Sequence, residues 1–233
     1  MFSNKRPHVV LLGFVLSCLV LSGCSTDSVT GGGSKSTVRF ANAMTGGSGS
    51  LVFNVNGSTS GQTVTYQQFG NCQQLNAAST DFSVMLLGGS GALATLSGET
   101  LTDGSKYTLL ATGSTSIPTL IFLTDTYTTP ATGRGRLRVV NAVDAGTSFD
   151  VYIGAPGPLG TVGPLDVGFN TSPAFVDVPE GLTQVRVTIP GTQTVIGTSV
   201  NFTVNSGDVT TLVFAPATTV GGALTSFFVP ECP

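Results

Sequence analysis

Apolar and polar residues alternate along most of this chain with a period of two, and no stretch beyond the first two dozen residues keeps a helical period over three turns. Short runs rich in Val, Thr, Phe, Leu and Ile recur between Gly, Asn, Asp and Pro, the pattern of an antiparallel all-β protein. In "LVFNVNG" Leu51, Phe53 and Val55 share a face, and in "TQVRVTIP" Val185, Val187 and Ile189 do. The first half predicts strands near 37 to 44, 51 to 55, 63 to 69, 80 to 87, 92 to 101, 106 to 112 and 118 to 124.

The two halves repeat each other. "VRFANAM" at 38 to 44 matches "LRVVNAV" at 137 to 143 with a shift of 99, which places Arg39 on Arg138, Asn42 on Asn141 and Ala43 on Ala142. Further along, "FSV" at 82 to 84 meets "VRV" at 185 to 187, and "DGSKYTLLA" meets "NSGDVTTLVFA", now with a shift of 103. Loops absorb such a four-residue gain readily. Each copy has about seven strands in roughly 90 to 100 residues, which predicts two tandem immunoglobulin-like β-sandwich domains. They would occupy 37–126 and 136–233, joined by a linker at 127–135, about the stretch "TYTTPATGR" at 126 to 134.

The amino-terminal pattern differs from everything after it. Lys5 and Arg6 precede an apolar run of 12 residues, Val9 to Val20, and then a small-residue approach to Cys24. That order is an export signal, and the run is well short of the roughly 20 residues that span a bilayer. Leu21-Ser22-Gly23-Cys24 resembles the lipobox of bacterial lipoproteins, a resemblance that implies cleavage before Cys24 and acylation of that cysteine. Residues 1–23 are then a lipoprotein signal peptide, and several acyl chains at Cys24 fasten the protein to a membrane, each buried methylene adding about 0.8 kcal/mol. Residue Ser25 stands where the lipoprotein resemblance would put an inner-membrane retention Asp, which implies the outer membrane of a Gram-negative cell envelope. Residues 24–36, rich in Ser, Thr and Gly, read as a flexible tether.

Cleavage changes the chemical inventory. It leaves 210 of the 233 residues, takes the net charge from −3 to −5, and removes His8, the chain's one histidine. An acidic surface repels phosphates, so nucleic acid is not an expected partner. Without histidine, serine-histidine and cysteine-histidine catalysis and the usual zinc ligand are excluded, and no cofactor is expected. Lys106 follows the turn "DGS" and reads as a solvated strand start. Acidic residues such as Asp81, Asp103, Asp125, Asp144, Asp150, Asp177 and Asp208 mostly sit beside Gly, Ser or Thr and read as turn caps, with no loop carrying the spacing of a calcium site.

Two features remain. Cys72 and Cys232, in an oxidising compartment, are a candidate disulfide; the other reading is two buried thiols. In "RGRLR", Arg134, Arg136 and Arg138 line one face of a strand as a candidate anion-binding stripe for a phosphate or acidic sugar. The plainer reading of that stripe is an edge strand protected by charge.

"RLRVVNAVDAGTSFDVYIG", "FVDVPEGLTQVRVTI" and "VNSGDVTTLVFA" resemble the bacterial domain-of-unknown-function family 4397 (DUF4397), whose units open R-V-V-N/H-A and F/V-D-V-Y. The resemblance covers nearly all of 37 to 230, most strongly the second half; in the first copy "SLVFNVNG" departs from F-D-V-Y and "LNAAST" from V-P-E-G. It implies exported or lipid-anchored proteins built of immunoglobulin-like units, and it carries no catalytic residues. The chain therefore reads as a membrane-anchored, non-catalytic binding, adhesive or structural module with a polysaccharide or protein partner. The alternatives are a carboxylate-dependent hydrolase of surface glycans, which needs two acids in one cleft, and a passive spacer.

Overall fold

The computed structural model describes residues 33–45, 50–143, 148–157, 159–171, 173–197, 199–217 and 224–233. The stretch read as a signal peptide, Cys24 and the part of the expected tether up to residue 32 lie outside the described residues, as does Asp144. Every regular element is a strand among the described residues, as the alternating pattern predicts.

The first repeat contributes β1 (Lys35–Asn42), β2 (Leu51–Val55), β3 (Ser58–Val64), β4 (Gln68–Phe69), β5 (Gln73–Asn76), β6 (Ser79–Leu86), β7 (Ala94–Thr100), β8 (Lys106–Ser114) and β9 (Ile117–Thr124). The second contributes β10 (Arg134–Asn141), β11 (Phe149–Gly154), β12 (Val162–Val167), β13 (Val176–Pro179), β14 (Gly181–Thr188), β15 (Val200–Val204), β16 (Val209–Pro216) and β17 (Leu224–Pro230). One predicted strand, 63 to 69, is divided: β3 ends at Val64, and β4 begins only after a turn whose Gln67 takes a left-handed φ of 60°.

Four sheets result. In the first repeat β4-β1-β8-β9, with β5 also on β1, faces β3-β2-β6-β7; in the second β13-β10-β16-β17 faces β12-β11-β14-β15. The repeat seen in the sequence is thus a repeat of topology, down to the parallel pairing of β1 with β8 and of β10 with β16. Each unit is a two-layer β-sandwich, as predicted. Its connections differ from those of an immunoglobulin constant domain, where the first strand pairs with the second. Here β1 and β2 lie in different sheets, and the first strand pairs with the penultimate one.

Each sandwich encloses its own core. Phe40 of β1 stacks on Phe53 of β2 with ring centroids 4.9 Å apart, and Phe149 meets Phe214 edge-on at 5.7 Å. Leu51, Phe53, Val185 and Val187 are buried as their alternation predicts, but Ile189 lies past the end of β14 and is 45% exposed. Gly113, at φ 77°, sits where the β8–β9 hairpin closes. A Cβ there would meet the Ile117 carbonyl oxygen at 2.3 Å, so no other residue fits.

A third buried cluster lies between the sandwiches. Ala41, Ala43, Leu110 and Leu123 pack against Val140, Ala142, Val213, Ala215, Phe227 and Val229. The β1-β8-β9 sheet therefore lies against the β10-β16-β17 sheet, and the inner strands are covered on both faces. In β1, Val38 and Phe40 point into the first core while Ala41 points into the junction. Gly32–Pro233 forms one compact unit of four stacked layers.

Candidate functional site

The repeated motif Arg-x-x-Asn-Ala is the point from which the junction is built. Alternation along β1 puts Asn42 on the face of Phe40 and Arg39 on the opposite face with Ala41. Asn42 Nδ2 donates to the Val64 carbonyl of β3 at 3.0 Å, and its Oδ1 accepts from the Met44 amide at 2.9 Å. Asn141 repeats this with the Val167 carbonyl of β12 at 3.2 Å and the Val143 amide at 3.0 Å. Each asparagine thus ties the two sheets of its own sandwich and satisfies backbone groups where the ladder ends.

The paired arginines face the junction. Arg39 is 8% exposed and lies 4.9 Å from the Phe69 ring centre; Arg138 is 3% exposed and lies 4.5 Å from that of Phe175. A guanidinium over an aromatic face is attracted by the ring quadrupole, more so when desolvated. Their polar partners differ. Arg138 Nη2 donates to Asp125 Oδ1 at 2.5 Å and to Thr211 Oγ1 at 3.0 Å, and Thr108 Oγ1 donates to the other carboxylate oxygen at 2.8 Å. Arg39 Nη2 instead lies 2.7 Å from Cys72 Sγ and 3.4 Å from the Glu231 carbonyl, and its buried Nε has no hydrogen-bond partner among the described residues. Burial pulls the Arg39 pKa below its ordinary value, with Asp125 and Glu231 pulling the other way.

A polar cleft of about 360 Å³ opens beside this network, lined by Ser105, Lys106, Asp125, Tyr127, Thr129 and Glu231. Lys106 Nζ pairs with Glu231 Oε1 at 3.2 Å and donates to the Cys232 carbonyl at 2.7 Å. The Tyr127 hydroxyl donates to Glu231 Oε2. Burial, that hydrogen bond and the charges of Glu231 and Asp125 all raise the Tyr127 pKa. On the far side of the junction the Tyr66 hydroxyl donates to the Pro216 carbonyl and Thr112 Oγ1 donates to Asn170 Oδ1 at 2.8 Å, two more bonds between the sandwiches.

The residues singled out from sequence fall as follows. Cys72 and Cys232 are joined in a disulfide with Cα atoms 5.7 Å apart, so the loop after β4 is tied to the last residues of the chain. Arg134, Arg136 and Arg138 do share a face, but the edge-strand reading is overturned because β10 lies between β13 and β16. Nor is the stripe free: Arg136 pairs with Asp177 at 2.9 Å, Arg134 approaches the same carboxylate at 3.8 Å, and Arg138 holds Asp125. Asp125 is no turn cap, and Lys106 does start β8 as read, but its ammonium is engaged by Glu231 and the Cys232 carbonyl. Sequence reasoning passed over Tyr127, Phe175 and Glu231 altogether; the one available signal was an arginine alternating with apolar residues, Ala41 and Ala43 in one copy and Val140 and Ala142 in the other, in strands whose other face was already apolar.

Among the described residues no group of three or more His, Cys, Asp or Glu side chains could hold a metal ion. Asp125 and Glu231 line one cleft, but each is already held by a cation and a hydroxyl of this chain.

Comparison with known proteins adds three findings. A solved structure described as alpha-glucan binding by a streptococcal virulence factor is similar over 77% of this chain and 93% of that chain, with 10% identity and a TM-score of 0.26. No curated protein matches. A family model described as Domain of unknown function (DUF4397) matches residues 36–152, from β1 through the whole first sandwich to the Phe-Asp-Val-Tyr stretch of β11 in the second, and on that match the chain belongs to the DUF4397 family.

Proposed function

We propose that this protein is a lipid-anchored, non-catalytic module of the cell envelope that displays a rigid body for binding or adhesion. The observation that carries the reading is the junction. The two sandwiches are joined by a buried apolar layer, a charged network and a disulfide and do not hang as separate beads, so that a tethered chain presents one stiff body with exposed loops. The Leu-Ser-Gly-Cys24 tetrad and the Gly/Ser tether supply the anchor and its reach.

A polysaccharide or protein is the partner this reading expects, and the outer membrane is the expected location. Intact-mass measurement of the native protein tests the anchor: the reading predicts a first residue of Cys24 carrying acyl chains, and an unmodified or differently processed start would overturn it. Glycan-array and pull-down screens with the soluble portion, residues 33–233, test the binding role.

The hydrolase alternative has one observation behind it, the shared cleft of Asp125 and Glu231. Their engagement with Arg138, Thr108, Lys106 and Tyr127 gives both carboxylates structural work. Polysaccharide turnover that disappears in both Asp125→Asn and Glu231→Gln, with the fold retained, would favour the enzyme instead.

A further inference from the structure

One difference between the two sandwiches opens space in the second. The parallel pairings set Tyr107 opposite Val38 and Thr210 opposite Leu137, so Thr210 occupies in the second sandwich the place of Tyr107 in the first. The Tyr107 ring is buried, stacks on Phe122 with centroids 4.7 Å apart, and its hydroxyl accepts from the Thr102 amide at 3.0 Å. In the second sandwich that ring is missing and an apolar cleft of about 210 Å³ takes its place.

Part of the lining repeats the surroundings of the tyrosine, while Arg136, Phe202 and Asp208 stand where the first sandwich has Thr37, Glu99 and Ser105. Leu137, Val178, Val204 and Phe228 stand in register where Val38, Leu75, Leu101 and Phe122 stand in the first sandwich. Phe202 approaches Phe228 from β15, with centroids 4.8 Å apart, yet both still border the cleft. At the mouth Asp208 Oδ2 accepts from the Asn205 amide at 2.7 Å. That amide is the counterpart of the Thr102 amide, which the tyrosine hydroxyl occupies in the other copy. A carboxylate therefore stands where the phenol oxygen would sit, and it accepts hydrogen bonds without donating any.

We infer that this cleft is a binding site for a small molecule carrying one aromatic ring with a hydrogen-bond donor, of the phenol class: the ring occupies the space between Leu137, Val204 and Phe228, and its donor faces Asp208. The volume suffices, since an apolar cavity of about 150 Å³ accepts benzene. The first sandwich supplies the template, because there the chain fills the same space with a phenol of its own. The site does not depend on the lipid anchor or on the envelope partner.

Phenol is the probe. Titrated into the oxidised protein under methyl-resolved NMR, it is expected to shift the Leu137, Val178 and Val204 methyl signals saturably and to leave Val38 and Leu101 unmoved. Thr210→Tyr, which restores the missing ring, is expected to weaken phenol binding at least tenfold and to raise the melting temperature. Should that variant fail to fold, Thr210→Leu, which fills part of the space, is expected to weaken binding at least threefold. Shifts that fail to saturate, that spread equally over both sandwiches, or that persist unchanged in the folded Thr210 variant overturn the inference.

Discussion

Arg39 and Arg138 are the same residue of the same motif in two copies of one fold, each buried and each stacked on a phenylalanine, yet among the described residues only Arg138 has a carboxylate in contact. Arg138 is matched by Asp125 from the end of β9, in the other sandwich; Arg39 meets a disulfide sulfur and a backbone carbonyl near the end of the chain. The motif thus fixes where a guanidinium goes, and the junction decides what it meets. Both partners come from across the repeat boundary or bridge it, so the arginines act as joints between sandwiches and not as parts of either core.

The comparison can be broken in graded ways. The largest effect is expected from Cys232→Ser: the bridged residues are 160 apart in sequence, and the chain-entropy model gives about 5 kcal/mol for a loop of that length, read from the denaturant midpoint. Next comes Arg138→Met, which leaves Asp125 buried and unpaired and is expected to cost about 3–5 kcal/mol. Arg39→Met removes no carboxylate's contact partner and is expected to cost only about 1–2 kcal/mol. Equal losses in the two variants would erase the distinction drawn between the arginines.

Asn42→Ala and Asn141→Ala probe the part of the motif that the copies share. Each is expected to cost about 1–3 kcal/mol by stranding a backbone amide and a carbonyl, and the two values should agree closely. The smallest effect is a pH dependence. Tyr127 titrates above its ordinary value of 10.0 in the fold, so the unfolded chain loses that proton first. The contribution of Tyr127 to stability is complete below about pH 10 and is lost as pH rises beyond it. Tyr127→Phe should remove that share of the alkaline slope in melting experiments.

How much of this was legible before the structure depended on whether the cause was local. The strand period, the two-sheet units and the equivalence of Arg39 with Arg138 follow from alternation and self-similarity, both of which are written in short windows. The junction is not. β1 carries apolar residues on both faces, Val38 and Phe40 on one and Ala41 on the other, and this was a usable sign of a strand covered twice. What covers it depends on residues such as Val213 and Phe227, far along the chain, and nothing local announces them. The same holds for Asp125 and Lys106, whose neighbours look like a turn and whose partners arrive from across the repeat boundary. Gln67 and Asn170, both left-handed and both donating their amides back to a motif asparagine, show a repeat that side-chain identity had hidden.

The claim on which the rest stands is that the two repeats behave as one body through their junction. Differential scanning calorimetry of the oxidised protein and of the protein with its disulfide reduced tests it most directly. The account predicts a single transition in both, with calorimetric and van't Hoff enthalpies equal and the reduced form melting lower. Two resolved transitions, one for each sandwich, would contradict it.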